Sequence, residues 1–485
     1  MFSKHKRNIF AFFILFFFIL PIIPVQGSVS DDANYYEKYP LYEKYEKKKK
    51  YDKYQRAKEK YGFKNSAQRE KYRKAYEKFR LFKKSPTKYP QYAGFLKEYR
   101  KYKKYKEEVS PLKKYARYER YDKKEYERYK GYGSSTYKDG YNRYKAFISD
   151  INNVTTNRGP EIKVGLWSYS KDDLIASPFK ITASKPFDIT DCNSTKINID
   201  PIAIGENARV TYLGPDGILQ AYNSNIPALF PTTSNQDKFC FVASDGNNDD
   251  MLFDVNKPDS TYDQYRGKIT IQHSYTDDNQ DQEGDLRRIW VINSLPLEHY
   301  VWGFGEIGGG VEQHSKAMIV AARTYARWYL QPTVTKWNEE GFNVLSTSGS
   351  QIYRGYDYEK DHATIPDLAK KTNGIIMKNQ DNDIVLAAYS SWTDGRTRKY
   401  EDGLFGGSCA SATAGDTSSL YPELSAVADP YGKNSSLDTC ALGAAGNHMV
   451  GMSANGSLNL AANYGWSWTK ILSYYYSRIS IVKEY

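Results

Sequence analysis

A chain of 485 residues has room for two or three domains, and its formal net charge of +12 averages two opposite halves. Between residues 35 and 146 there are 37 Lys and Arg against 15 Asp and Glu, a net of +22; from residue 147 onward there are 29 against 40, a net of −11. The basic half alone would admit a nucleic-acid partner, but the chain opens on what reads as an export signal. An exported chain meets anionic wall polymers or lipid headgroups before it meets nucleic acid, so no nucleic-acid partner is expected.

Residues 1–27 carry that signal. Lys4, Lys6 and Arg7 form a basic n-region, the stretch from Ile9 to Val25 is apolar, and Val25, Gln26 and Gly27 fit a cleavage site. Pro21 and Pro24 interrupt the apolar run, which is marginal for a membrane span. Cleavage is therefore expected over an uncleaved anchor, and the protein is expected to be secreted or wall-associated. No later stretch is apolar enough to span a membrane.

Residues 28–150 are a low-complexity segment of Tyr, Lys, Arg and Glu that holds more than half of the 45 tyrosines. Tyrosines recur every three or four residues, as in Tyr99, Tyr102 and Tyr105, which places them along one side of a helix. Pro40, Pro86, Pro90 and Pro111 should cut the segment into helical pieces joined by short turns. Apart from Tyr its apolar content is too small for a firm core. Two roles fit: a charged spacer, or adhesion to an anionic polymer or membrane surface, Tyr stacking on sugars while Lys pairs with anions.

From residue 160 the texture changes. IKVGLWSYS, PFKITA, ARVTYLG, KFCFVAS, KITIQHSY and RRIWVINS are short β-branched and aromatic runs bounded by Gly, Asp and Asn, and they read as strands. The acidic stretch at 277–285 lacks the glycine position of a calcium loop and reads as a solvated hairpin tip. After residue 296 the pattern is mixed. A helix over 314–330 precedes a β-rich stretch, then come a helix near 365–371 and a strand over 384–391. Gly- and Ser-rich loops over 401–445 lead to helices over 457–464 and 468–475. The fold class expected is α+β, with a strand-rich part (160–295) packed against a mixed part (296–480). The four cysteines, Cys192, Cys240, Cys409 and Cys440, have no CxxC spacing, which argues against zinc. Their even count permits two disulfides. Order along the chain suggests Cys192 with Cys240 and Cys409 with Cys440, and all three pairings stay open.

The helix over 314–330 is apolar on almost every side yet carries Arg323 in its middle. A buried guanidinium needs a carboxylate, carbonyls or an anionic ligand. Glu306 lies just upstream, flanked by Trp302, Phe304 and Ile307. Gly303, Gly305 and Gly308 fit GxGxxG, but no acid follows at the dinucleotide spacing, so these glycines are read as a tight loop presenting Glu306. His273, His299, His314 and His448 show no ligand spacing and no GxSxG elbow is present. Neither a metal nor a cofactor is expected.

Four stretches in register resemble the SpoIID/LytB domain, the family of stage II sporulation protein D and the amidase enhancers. They are LPLEHYVWGFGEIGGG; KAMIVAARTYA; the pair QIYRGY and AAYSSWTDGRT; and HMVGMSANG followed by WTKILSYYY. The resemblance spans roughly 160–480 and implies a glycan groove in the mixed part, with lytic transglycosylase activity on peptidoglycan. It makes Glu306 the catalytic acid and Glu312 the fallback. It implies a site role for His448, which otherwise reads as a structural histidine. Sugar contacts are expected from Ser391 and Ser453, and ring stacking from Tyr353 and Tyr389. Arg323 should hold a backbone loop or a substrate carboxylate, because pairing with Glu306 would depress the acid; an internal strut is the other reading. The loop before Glu306 is about two residues shorter than the family pattern, Asp394 replaces a glycine and Ala454 replaces a glutamine. These departures keep a second function open, a non-catalytic wall-binding protein that stimulates an amidase partner.

Overall fold

The computed structural model describes residues 31–120 and 157–485, apart from 198–199, 214–217, 224–225, 230–236, 259, 275–287 and 410–414. The signal at 1–27 and the acidic stretch at 277–285 lie outside the described residues. Among the described residues, no helix is long and apolar enough to cross a membrane.

The Tyr/Lys segment is helical. Helix α1 (Asp31–Tyr61) continues through Pro40, where a break was expected, and stops at Gly62, whose N–H bonds to the Lys58 carbonyl at 2.8 Å. Asn65 caps α2 (Ser66–Lys84), accepting the Gln68 N–H. The chain reverses around Pro86 and Pro90 into α3 (Leu96–Lys104), which returns along α2. A core forms here that composition argued against, and it is made of rings. Tyr76 stacks on Tyr99 at 5.0 Å, Phe79 meets Tyr99 at 4.9 Å, and Phe63 meets Tyr72 and Tyr105 at 5.2 Å. The helical tyrosine spacing does the work that Leu and Ile do elsewhere.

A β-sandwich follows. One six-stranded sheet has the order β12, β1, β11, β10, β7, β3, and the other β6, β5, β4, β2, β8, β9. In chain order these are β1 (Glu161–Tyr169), β2 (Phe179–Ala183), β3 (Phe187–Thr190), β4 (Ala208–Leu213), β5 (Ile218–Asn223) and β6 (Ile226–Leu229). Then come β7 (Lys238–Ala243), β8 (Leu252–Val255), β9 (Gln264–Arg266), β10 (Lys268–His273), β11 (Ile289–Pro296) and β12 (Val344–Leu345). A short helix, α4 (Lys171–Ala176), joins β1 to β2 and is closed by a capping box between Ser170 and Asp173. The six strand-like runs of the sequence are β1, β2, β4, β7, β10 and β11. The sheets meet through phenylalanines: Phe179 and Phe253 from one, Phe241 and Phe187 from the other, with centroids 5.7 Å apart in both pairs. Strand β11 is buried on both faces, because Trp290 and Ile292 on its outer side are covered by Phe342.

Strand β11 runs straight into the mixed part. There α5 (Leu297–Trp302), α6 (Glu312–Trp328), α7 (Gly355–Asp361) and α8 (Thr364–Lys371) precede β13 (Ile375–Lys378) and β14 (Tyr389–Ser390). After the Gly/Ser-rich loops come α9 (Thr439–Ala444), β15 (Met452–Ser453), α10 (Ala454–Tyr464), α11 (Trp468–Tyr475) and β16 (Ser480–Lys483). Strand β13 pairs with β16 antiparallel, and β14 with β15 parallel. The fold is α+β, as the sequence indicated. Two expectations fail locally. The β-rich stretch after α6 is mostly turns, with β12 its only strand, and the strand over 384–391 shrinks to β14. The second failure has a local cause: the Ala388 N–H turns back to the Leu386 carbonyl at 2.8 Å, which takes it out of any ladder.

The disulfides are Cys192–Cys240 and Cys409–Cys440, with sequence separations of 48 and 31. In the chain-entropy picture, closing loops of this size stabilises by about 4 kcal/mol each. Reduction should therefore lower the urea midpoint of unfolding markedly, and a midpoint unchanged by reductant would contradict that contribution.

Candidate functional site

Glu306 sits in the loop between α5 and α6. This loop lies against the extended stretch 352–354: Gly305 N–H bonds to the Ile352 carbonyl at 2.9 Å, and Arg354 N–H to the Gly303 carbonyl at 3.0 Å. The glycines are needed for close approach, since a Cβ on Gly303 would fall 2.7 Å from the Tyr353 ring and 2.8 Å from the Gly355 carbonyl. Held this way, the half-buried Glu306 carboxyl accepts the Ile352 N–H at 2.7 Å and the hydroxyl proton of Tyr389. Gln351 sets that hydroxyl. Its amide nitrogen donates to Tyr389 Oη at 3.0 Å, and its oxygen accepts from the Tyr300 hydroxyl at 2.9 Å. The Tyr389 proton is thereby left for Glu306.

Burial raises the Glu306 pKa above the ordinary carboxylate range, and the Ile352 N–H and Tyr389 hydroxyl offset part of the rise. No ion pair to it is found among the described residues. Phe304 and Ile307 supply buried apolar surface beside it, whereas Trp302 packs at a tilt on His299, with ring centroids 4.4 Å apart. Glu312 is a different kind of acid: exposed, in the first turn of α6, paired with Lys316 at 2.5 Å and held below its ordinary pKa by that lysine.

Tyr389 also lines a cleft of about 700 Å³. Its walls are largely aromatic: Tyr325, Trp328 and Tyr329 from the end of α6, facing Tyr400, Phe405 and Tyr421. Among the described residues, Lys336 at the rim is its one formally charged lining side chain, and it donates to the Gly349 carbonyl at 3.2 Å. Glu306 stands one hydrogen bond behind the Tyr389 wall. A second hollow, of about 480 Å³, lies on the outer face of the sheet containing β3, β7 and β10 and has no member near Glu306.

His448 lines the same cleft. Its Nδ1 accepts the Val450 N–H at 3.0 Å, so Nε2 carries the proton, which is donated to the Tyr389 carbonyl. Burial lowers its pKa to about 4, and Phe405 stacks on its ring. A neutral imidazole in this setting positions Tyr389. The turn around it is sharp: Met449 and Gly451 both have positive φ, and a Cβ on Gly451 would lie 2.0 Å from the Ala388 carbonyl.

The structure thus brings Glu306, Tyr389 and His448 together. It takes Tyr353 and Ser453 elsewhere, contrary to the sugar contacts expected of them, and it makes Arg323 the internal strut that the sequence left open beside a substrate-carboxylate role. Arg323 is fully buried and forks onto Glu298, with Nε–Oε1 at 2.7 Å and Nη2–Oε2 at 2.8 Å; its remaining donors reach the Ile375 and Ala369 carbonyls. It is a strut between α5, α6, α8 and β13. Tyr353 is buried, stacked on Tyr300, and donates to Asn293 at 3.0 Å. Ser453 is buried as the N-cap of α10, accepting the Gly456 N–H at 3.0 Å. Ser391 is exposed but not among the cleft-lining residues; its carbonyl accepts from Asn455. The sequence reading missed Gln351 as the group that orients Tyr389. A helix apolar on almost every side reads as wholly buried, yet Tyr325 and Trp328, at i and i+3 near its end, line the cleft.

One buried and two half-buried histidines make a pH prediction. Burial lowers His448 and His314 to about 4 and His299 to about 3. Between those values and the ordinary histidine pKa, the unfolded chain binds protons that the folded chain does not. Stability is then fully present above about pH 6.5 and falls as pH drops toward 4. Thermal melts across that window should show a falling midpoint, and His448→Gln should flatten the fall. A midpoint that rises on acidification would contradict the burial of these rings.

Residues 286–378 match the model of the family described as stage II sporulation protein, SpoIID. No curated protein matches the chain. The resemblance seen in the motifs is borne out over this stretch, which carries Glu306, Arg323, Gln351 and Tyr353. Tyr389 and His448 lie beyond its end.

Proposed function

We propose that the protein remodels peptidoglycan outside the cytoplasm as a lytic transglycosylase, with Glu306 as the one acid and base. At family level the SpoIID match supports a sporulation- and cell-wall-related role. The observation that carries the finer reading is a carboxyl, raised in pKa by burial, alone and without a cation partner among the described residues, and bonded to the tyrosine that lines an aromatic cleft. Hydrolytic glycosidases need two carboxyl groups, one to protonate the leaving oxygen and one to attack or activate water. A transglycosylase uses the sugar's own hydroxyl and needs one. With the Tyr389 side chain swung aside from in front of it, protonated Glu306 gives its proton to the glycosidic oxygen as the C1–O bond breaks. The carboxylate so formed takes the proton of the muramic C6 hydroxyl as that oxygen bonds to C1. A 1,6-anhydro end results, no water is consumed, and Glu306 ends protonated again. Aromatic walls suit sugar faces, and the rim cation Lys336 suits a glycan that bears carboxylates.

The test is digestion of purified glycan strands followed by mass spectrometry. Ends lighter by one water than hydrolysed ends, formed by the parent and absent with Glu306→Gln, support the proposal; hydrolysed ends, or products from both proteins, oppose it. A second reading, the non-catalytic wall protein that stimulates an amidase, draws on the two donors that hold Glu306, since a carboxyl so tied can serve as a loop latch. Strands left intact by the parent, with an amidase accelerated in its presence, would favour that reading.

A further inference from the structure

The hairpin made by α2 and α3 carries a large charge that is only partly offset among the described residues, with Lys103 pairing with Glu107 just beyond it at 3.6 Å. From residue 63 to residue 106 there are 16 Lys and Arg against three Asp and Glu, a net of +13 in 44 residues. Its rings point inward and pack on one another, and its cations point out: Lys71, Lys74, Lys84, Lys97 and Lys104 are all exposed. The acids present are spent within the helices, Glu70 on Arg73 and Glu77 on Arg80. Several lysines lie over rings instead, Lys101 over Phe63 at 5.4 Å and Lys78 over Tyr92 at 5.7 Å. Self-repulsion at this density disfavours a compact hairpin in isolation, and a partner of closely spaced negative charge would relieve it.

We infer that this hairpin is a docking surface for a linear polyanion of the cell surface, a chain of phosphates or carboxylates. A membrane fits less well. Interfacial helices need an apolar face of Trp, Phe and Leu to bury among headgroups. Here the aromatic side is already buried in the hairpin, and Leu81 and Leu96 are its only large aliphatic side chains in the open. Cations distributed around both helices, with the rings between them, match a flexible charged chain that wraps. The inference is independent of any chemistry at Glu306.

The test uses the full chain and its variant carrying Lys71→Gln, Lys74→Gln, Lys84→Gln, Lys97→Gln and Lys104→Gln. Glutamine is a good helix former, so circular dichroism should be unchanged and loss of binding will not reflect unfolding. Probes are poly(glycerol phosphate), a polygalacturonate, single-stranded DNA and vesicles rich in phosphatidylglycerol. The parent should bind the phosphate chain, the carboxylate chain or both. With six or more contacts its affinity should fall by about 10³-fold between 50 and 200 mM salt, and the variant should show a shallower salt slope. Binding of only one of the two chains identifies the charged group. A variant that binds like the parent, tighter binding to vesicles than to either chain, or a clear preference for DNA would each overturn the inference.

Discussion

Glu306→Gln should slow glycan cleavage by about 10²–10⁴-fold, the range that a positioned proton donor contributes. The amide keeps an oxygen for the Ile352 N–H, so the loop should hold its shape and the loss should fall on turnover more than on binding. Tyr389→Phe gives the finer test. The tyrosine hydroxyl favours the ionised carboxyl, and without it the Glu306 pKa should rise further. An acid that stays protonated to higher pH moves the alkaline limb of the rate profile upward. The variant should therefore be slower at its optimum, yet its profile should shift to the alkaline side. A profile that shifts toward acid would mean the hydroxyl does not face the carboxyl. An unshifted profile in Tyr389→Phe with full loss in Glu306→Gln would leave the acid in place and remove its regulator.

The largest effect on stability should come from the pair Arg323 and Glu298. Both are buried, and they hold a wider knot: the Tyr485 hydroxyl and the Gly374 N–H also donate to Glu298, at 2.7 and 3.0 Å. Removing one partner leaves an uncompensated charge in the core, which costs about 3–5 kcal/mol. Glu298→Ala or Arg323→Ala should each lower the free energy of unfolding by that amount in a urea titration. Replacing both, as Glu298→Leu with Arg323→Met, should recover much of it, because two apolar groups of similar size need no partner. If the double variant were as unstable as the sum of the singles, the two residues would not be acting on each other.

How much of this could be read from the chain alone differs by element. The sandwich strands were legible because β-branched and aromatic runs bounded by turn residues are a local signal. Helix α6 was legible from its nearly all-round apolar surface, and Arg323 from the misfit of a cation within it. Its partner was not, although Glu298 stands in a quoted motif, because pairing is a matter of three-dimensional neighbourhood. The same limit hid the Gln351 bridge between Tyr300 and Tyr389. Tyr353 and Ser453 looked like sugar contacts since ring and hydroxyl suit sugars, but the burial that makes one a packing residue and the other a helix cap is set by tertiary structure. In the Tyr/Lys segment, low aliphatic content argued against a core, and ring-on-ring packing supplied one.

The route by which β11 passes directly into α5 and on to the acid has a practical consequence for dissecting the molecule. The stretch with family likeness cannot be cut out and studied as a miniature. It begins near the start of a strand whose two ladder neighbours, β1 and β10, come from earlier sequence, and it ends before the tyrosine and the imidazole that complete the cleft. Such a fragment would present a greasy, unpaired ribbon to water and half a pocket. Boundaries for expression belong outside the sandwich on one side and past β16 on the other.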